Sequence, residues 1–422
     1  MKDLYDIGEL PLLGEVPSHM HAALIRPERY GEPSRAIATE VVPVPEVAPG
    51  KVLVLVMAAG VNYNNVWASL GSPVDVVAAR RKAGHPEDFH IGGSDGSGIV
   101  WAVGEGVKQV KVGDQVVIAP VVWDETAADI RLGADPMTST SALAMGYESN
   151  YGSFAQFTLL DEYQCHPKPA RLTWEEAGCF MLTAATVYRQ LRGWAPHTVE
   201  PGDPVLIWGG AGGLGSMAIQ IVRQFGGTPV AVVSDEDKAE HCLRLGARGV
   251  INRKEFGHWG RIPPADDPVA YAEWMNGMRA FGRAFWDVLG ERRSPRIVLE
   301  HPGEDTIPTS IYLCDNAGMV VTCGGTSGYR GDVDLRFLWM RQKRFQGSHG
   351  ANTAQFRAVA ELAAQGGLDP CMSLAVPFSG IADVHQLMYE NQHPSGNIAV
   401  LVGTPEPGRR DVPRPARARA SG

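Results

Sequence analysis

Hydrophobic positions fall in short blocks, and their spacing changes once, near residue 170. Before that point, 51–57 (KVLVLVM) is a dense β-branched and Leu run, and 97–117 alternates apolar and polar positions between glycines. Alternation with period two, broken by Gly at turns, predicts short strands of a small Gly-cornered barrel. Beyond it, 172–191 reads as one helix, with Thr173 as N-cap and acids in the first turn. Strands at 204–208, 229–233, 249–252, 296–300 and 319–323 follow, with helices at 213–225 and 236–245. That alternation is the signature of βαβ units and a parallel sheet. The stretch 253–296, with Trp259, Trp274 and Trp286, reads as a helical insertion at a subunit contact. A helix at 353–365 and a strand at 397–402 close the ordered part. The Pro/Arg-rich segment 404–422 reads as a disordered tail.

Composition narrows the class. The chain has 422 residues, 44% hydrophobic and 20% charged, so it can bury a large core without disulfide or metal staples. A net charge of −9 argues against nucleic acid and anionic membrane as partners. Any anionic ligand must meet a local basic pocket. Six cysteines without a CxxC pair read as reduced, buried thiols. The N-terminus lacks a basic segment followed by an apolar one, and no apolar run approaches the ~20 residues of a membrane helix. These features predict a cytoplasmic protein.

The first chemical motif is GGAGGLG at 209–215. Gly210, Gly212 and Gly215 satisfy GxGxxG between a strand and a helix, with Gly213 and Leu214 inside the turn. Glycine permits the tight turn, lets backbone approach a pyrophosphate, and allows close helix–strand packing. The phosphates then meet free N–H groups at a helix N-terminus. The next strand ends in Ser234, with Lys238 one turn on, where NAD enzymes place an acid. A hydroxyl and an ammonium suit a 2′-phosphate, so NADPH is the expected cofactor. Arg253 can add a second cation; Asp235 and Glu236 must then point outward. The GSDGSG turn at 93–98 has no His–Glu ligand pair and there is no four-cysteine cluster, so no metal site is expected.

These motifs resemble the zinc-free branch of the medium-chain dehydrogenase/reductase superfamily. Closer still is the resemblance to the crotonyl-CoA (enoyl-CoA) carboxylase/reductases. VNYNNVW at 61–67, GYE at 146–148, GSFA at 152–155, LIWG at 206–209, EHPG at 300–303, TSGY at 326–329, LWM at 338–340 and GSHGAN at 347–352 carry it. The fold implied is α/β: a Rossmann doubly wound parallel sheet plus a GroES-like β-barrel catalytic domain. The expected boundaries are 1–188 with 361–403 for the catalytic domain, and 189–360 for the NADPH domain.

The resemblance implies that NADPH delivers hydride to the β-carbon of a 2-enoyl-CoA and that the enolate captures CO2, giving an alkylmalonyl-CoA. The CO2 site carries over onto the Asn64 side chain, the backbone amide of Tyr147, and Glu148 with His349 through a water. Neutral donors suit CO2, because a strong acid would protonate the enolate instead. A homodimer or homotetramer is implied as well.

The 335–344 segment (LRFLWMRQKR) supplies cations for the CoA phosphates, with Arg336 and Phe337 for phosphate pairing and adenine stacking, and Arg341 and Lys343 beside them. Two departures from the short-chain family pattern remove volume: Gly350 stands where Phe is usual and Ala144 where a larger aliphatic residue is usual. They predict a medium-chain substrate such as hexenoyl- or octenoyl-CoA. The alternative is a non-carboxylating enoyl-CoA or quinone reductase on the same fold.

Overall fold

The computed structural model describes residues 2–264, 266–404 and 406–411. It divides into two compact units. The first comprises Met1–Leu182, Asn352–Gly366 and Pro370–Gly422; the second comprises Thr183–Ala351 and Gly367–Asp369. The chain crosses between them inside the helix Met181–Arg192, six residues before the expected 188, and returns at Asn352 rather than 361.

In the first unit the strand Lys51–Gly60 is the hub. It pairs antiparallel with Gly96–Val103, Phe157–Asp161 and Asn397–Leu401. Nine of its ten residues are buried, as its unbroken apolar run requires. Two register shifts along its pairing with Gly96–Val103 bend the sheet. The expected helix 172–191 is two helices, Trp174–Ala177 and Met181–Arg192. Thr173 caps the first, in a capping box with Glu176. The break falls at Gly178, where a Cβ would lie 2.8 Å from the Ala58 carbonyl oxygen of the hub strand. Close approach to the sheet, not helix propensity, decides that position.

The tail expectation is corrected for its described part. Val402, Gly403 and Thr404 all donate to the Met57 carbonyl. The fully buried Trp174 donates its backbone N–H to Arg409 O and its indole N–H to Asp411 O at 3.0 Å. Residues 412–422 lie outside the described residues.

The second unit holds a six-stranded parallel sheet in the spatial order Gly249–Asn252, Thr228–Val233, Pro204–Ile207, Ile297–Glu300, Met319–Thr322, Arg344–Gly347. The chain starts in the middle and winds to both sides, the doubly wound arrangement expected. The insertion is built around a 22-residue helix, Pro268–Leu289, capped by Asp267. It buries Phe281 and Phe285 against the sheet, Phe281 stacks on Trp208 at 5.4 Å, and Met278 packs with Trp274 and Met275. Its aromatic content therefore serves this unit's own core. Among the described residues no helix is long and apolar enough to cross a membrane.

Candidate active site

In the second unit, every loop leaving the carboxyl end of a parallel strand lies along one edge, where open α/β sheets bind ligands. The glycine loop follows the central strand and opens the 12-residue helix Gly213–Gln224. The three motif glycines differ in their surroundings as a dinucleotide site requires. A Cβ on Gly210 would lie 2.6 Å from Ala231 Cβ, and one on Gly215 would collide with Gly209 O. A Cβ on Gly212 would meet nothing closer than Gly209 O at 3.5 Å. Two glycines therefore serve packing, and Gly212 leaves an open face for a pyrophosphate. Gly213 and Leu214 offer the unsatisfied first-turn N–H groups.

On the neighbouring strand, Lys238 Nζ donates to Ser234 Oγ at 3.2 Å and pairs with Asp235 at 3.2 Å. Asp235 is also the N-cap of the helix Glu236–Arg244, accepting from Lys238 N. Its other oxygen accepts the Ser234 hydroxyl at 3.0 Å, so Asp235 does not point outward as expected but shares one cluster with the hydroxyl and the ammonium. Val233 pairs with Asn252, so the exposed Arg253 leaves the sheet beside Ser234. These residues fit a dinucleotide carrying a 2′-phosphate.

The central crevice between the strands Pro204–Ile207 and Ile297–Glu300 is braced by Glu300. Its carboxyl accepts from Thr306 Oγ1 at 2.7 Å, Ser310 Oγ at 2.5 Å and Gly303 N at 3.1 Å. Ser310 Oγ in turn accepts the Trp208 indole N–H at 2.8 Å. Burial raises the Glu300 pKa to about 7, against the pull of those donors. His301 Nε2 donates to Trp208 O at 3.1 Å. The EHPG stretch carried the resemblance in the sequence, and nothing there signalled this bracing. His349 leaves the carboxyl end of the edge strand Arg344–Gly347 with an exposed imidazole.

The basic decapeptide is not one phosphate patch. Lys343 Nζ donates to Ile311 O at 2.7 Å and Tyr312 O at 3.0 Å, closing the end of the helix Ile307–Leu313. Phe337 packs edge-on against Tyr312 at 5.1 Å. Arg336 is exposed but locked to Asp334 at 2.7 Å and to the Tyr271 hydroxyl at 2.9 Å. Arg341 alone of the four predicted residues is exposed with no side-chain partner found among the described residues.

In the first unit, Asn64 starts the helix Asn64–Leu70. Its Nδ2 donates to Ser94 Oγ at 2.7 Å, and its Oδ1 accepts from Asn65 Nδ2 at 2.9 Å. Trp67, one turn along, faces Tyr147 with ring centroids 6.4 Å apart. Tyr147 and Glu148 sit on a tight turn whose Gly146 has φ +66°, and a Cβ there would collide with Gly93 O. The Ala144 carbonyl accepts from Glu148 N at 2.9 Å, Ser149 N at 3.1 Å and Tyr147 N at 3.3 Å. Three donors share two lone pairs, and the Tyr147 N–H is the loosest. The Glu148 carboxylate accepts the Ala144 N–H at 2.8 Å. Buried His90 donates Nε2–H to Gly146 O at 3.1 Å while its Nδ1 faces Arg80 Nη1 at 2.8 Å. Burial, then the Arg80 charge, lowers the His90 pKa to about 3, so the ring is neutral. Sequence reasoning missed Asn65, Ser94 and His90. Only the doubled Asn and the polar residue inside a Gly-rich turn were signals. Ala144 lies in the short strand Leu143–Ala144, and Gly350, in the second unit, has φ +54°.

Among the described residues no group of three or more His, Cys, Asp and Glu side chains could hold a metal ion. Residues 48–170 match the alcohol dehydrogenase GroES-like domain family and 213–365 the zinc-binding dehydrogenase family. The crotonyl-CoA carboxylase/reductase of Cereibacter sphaeroides is 50% identical over 97% of this chain and 94% of its own. A solved crotonyl-CoA carboxylase/reductase, AntE, in complex with NADP superposes with a TM-score of 0.93 at 66% identity, covering 96% of this chain and all of that one. The 2-octenoyl-CoA carboxylase reductase CinF, solved with NADP and 2-octenoyl-CoA, gives 0.87 at 37% identity, covering 95% and 91%. With a two-unit fold, a glycine cradle and near-full-length similarity all agreeing, the chain belongs to the crotonyl-CoA carboxylase/reductase family.

Proposed function

We propose that this chain catalyses the NADPH-dependent reductive carboxylation of a 2-enoyl-CoA to an alkylmalonyl-CoA. When bound, NADPH supplies the hydride. Ser234, Lys238 and Arg253 hold its 2′-phosphate, and the first-turn N–H groups at Gly213 and Leu214 hold its pyrophosphate. Hydride addition at the β-carbon leaves an enolate whose electron pair sits at the α-carbon. That pair forms a C–C bond to CO2, or it takes a proton from water and yields a saturated thioester. The residues must therefore hold CO2 without offering a proton.

Asn64 supports this role, because an amide N–H is a donor with no acidic proton at neutral pH. The Tyr147 N–H, only loosely held by Ala144 O, is a second neutral donor. Glu148, with one oxygen tied to Ala144 N, can orient a water with the other. The observation that carries the reading is the pinned Asn64 amide, a neutral donor fixed in place on a helix start. Ala144 and Gly350 are each smaller than the residue the resemblance leads one to expect for a short-chain substrate, which supports hexenoyl- or octenoyl-CoA as the proposed substrate. The working unit is proposed to be a homodimer or homotetramer, with the edge strand Arg344–Gly347 and its exposed Phe345 available for pairing.

The test is mass spectrometry of products from C4–C12 enoyl-CoAs with NADPH, bicarbonate and carbonic anhydrase. Carboxylated product should dominate at high CO2. Saturated thioester alone would instead mark a non-carboxylating reductase.

A further inference from the structure

Asparagine can present either end of its amide to a ligand, and only the NH2 end serves a CO2 oxygen. The first unit contains a chain of bonds that fixes the choice. Gly93 N–H, which can only donate, donates to Asn65 Oδ1 at 3.0 Å. Asn65 must then turn its Nδ2 the other way, toward Asn64 Oδ1 at 2.9 Å. With its oxygen occupied, Asn64 points Nδ2 at Ser94 Oγ, 2.7 Å away. One Nδ2 hydrogen goes to Ser94, and the second remains for a ligand. Asn65 and Ser94 are both fully buried. Gly92 makes room, because a Cβ there would collide with Asn65 Oδ1.

We propose that Asn65 and Ser94 are positioning residues that lock the Asn64 amide with its N–H outward and so determine whether the enolate is carboxylated or protonated. The proposal rests on the reading of Asn64 as a CO2 donor. Asn65 touches neither substrate nor cofactor in this scheme; it acts by setting which atom of Asn64 faces the ligand.

The test is Asn65→Asp in the full-length enzyme, with crotonyl-CoA and NADPH as probes, reading the ratio of carboxylated to reduced product. Burial raises the introduced carboxyl too, so the ratio is read at the alkaline end of the range, where an ionised carboxylate at position 65 only accepts. Gly93 N–H still occupies one of its oxygens, and the other pulls Asn64 Nδ2 toward it, reversing the amide. The ratio should fall at least tenfold with Asn64 itself unchanged. At low pH and fixed dissolved CO2, the introduced carboxyl is protonated and donates to Asn64 Oδ1 as Asn65 does, so the ratio should recover. A merely structural lesion would not recover in this way. Asp95, next in the chain to Ser94, is a buried carboxyl held well above the usual range by desolvation, and the wild-type enzyme over the same pH range controls for it. Ser94→Ala, which frees the amide to rotate, should lower the ratio about threefold and decides the matter if Asn65→Asp does not fold. Asn64→Leu separates the two readings. If Asn64→Leu leaves the ratio unchanged, Asn64 is not the donor. If Asn64→Leu lowers it but neither Asn65→Asp nor Ser94→Ala does, the locking relay is overturned.

Discussion

The carboxylate of Glu148 accepts the backbone N–H of Ala144 at 2.8 Å, so the group proposed to orient a water and the residue proposed to bound the acyl chain share one turn. The bond uses the backbone of Ala144, and its side chain can be enlarged without removing it.

Ala144→Leu should therefore act on chain length. Each CH2 of a long acyl tail that loses its cavity costs about 0.8 kcal/mol, and crowding adds to this. The expected result is a fall of about tenfold in kcat/KM for octenoyl-CoA, with a clearly smaller fall for crotonyl-CoA, checked by steady-state kinetics on both. Equal losses would remove Ala144 from the acyl pocket. Gly350→Phe is a less clean probe, because φ of +54° imposes left-handed strain of about 1–2 kcal/mol on any side chain.

Lys238→Ala should raise KM for NADPH about tenfold or more while changing KM for NADH little. The ammonium gives a charge-assisted bond to a 2′-phosphate, about 1.5–3 kcal/mol, and its loss leaves Asp235 facing that phosphate unneutralised. Comparable shifts for both nucleotides would contradict the assignment.

Lys343→Met should cost stability rather than CoA affinity. It leaves the carbonyls of Ile311 and Tyr312 without their ammonium donor, worth about 1–3 kcal/mol where buried. Thermal melting should show the loss, with KM for enoyl-CoA within about twofold. Arg341→Ala should do the reverse.

Glu300 makes stability depend on pH. Its folded pKa, about 7, lies above that of an unfolded glutamate, about 4.3. Between those values the folded state binds the extra proton, so its contribution is complete below about pH 4 and is lost as pH rises through 7. Melting temperature from pH 5 to 9 should decline more in the wild type than in Glu300→Gln. Parallel curves would show that another group carries the slope.

Period and punctuation made much of this fold legible. The strand 204–208, the glycine loop and Thr173 were readable because each is governed by its own few residues: an apolar run, a missing Cβ, a hydroxyl three positions before a glutamate. What stayed hidden depends on distant neighbours. Gly178 breaks a helix because Ala58 lies against it, Lys343 is consumed by a helix end some 30 residues upstream, and residues 406–411 settle on Trp174. The same holds at the site. Asn64 could be named by resemblance, but Asn65, Ser94 and His90 act through bonds between segments that sequence order separates.

The collisions that forbid a side chain at Gly146, with Gly93 O, and at Gly152, with Gly92 O, carry a practical consequence for enzyme engineering. The two turns interlock main chain to main chain, so neither is a portable cassette. A chimera that borrows the 144–152 loop for a different acyl specificity would need the 92–95 loop from the same donor, and libraries that randomise one while freezing the other should consist mostly of inactive clones.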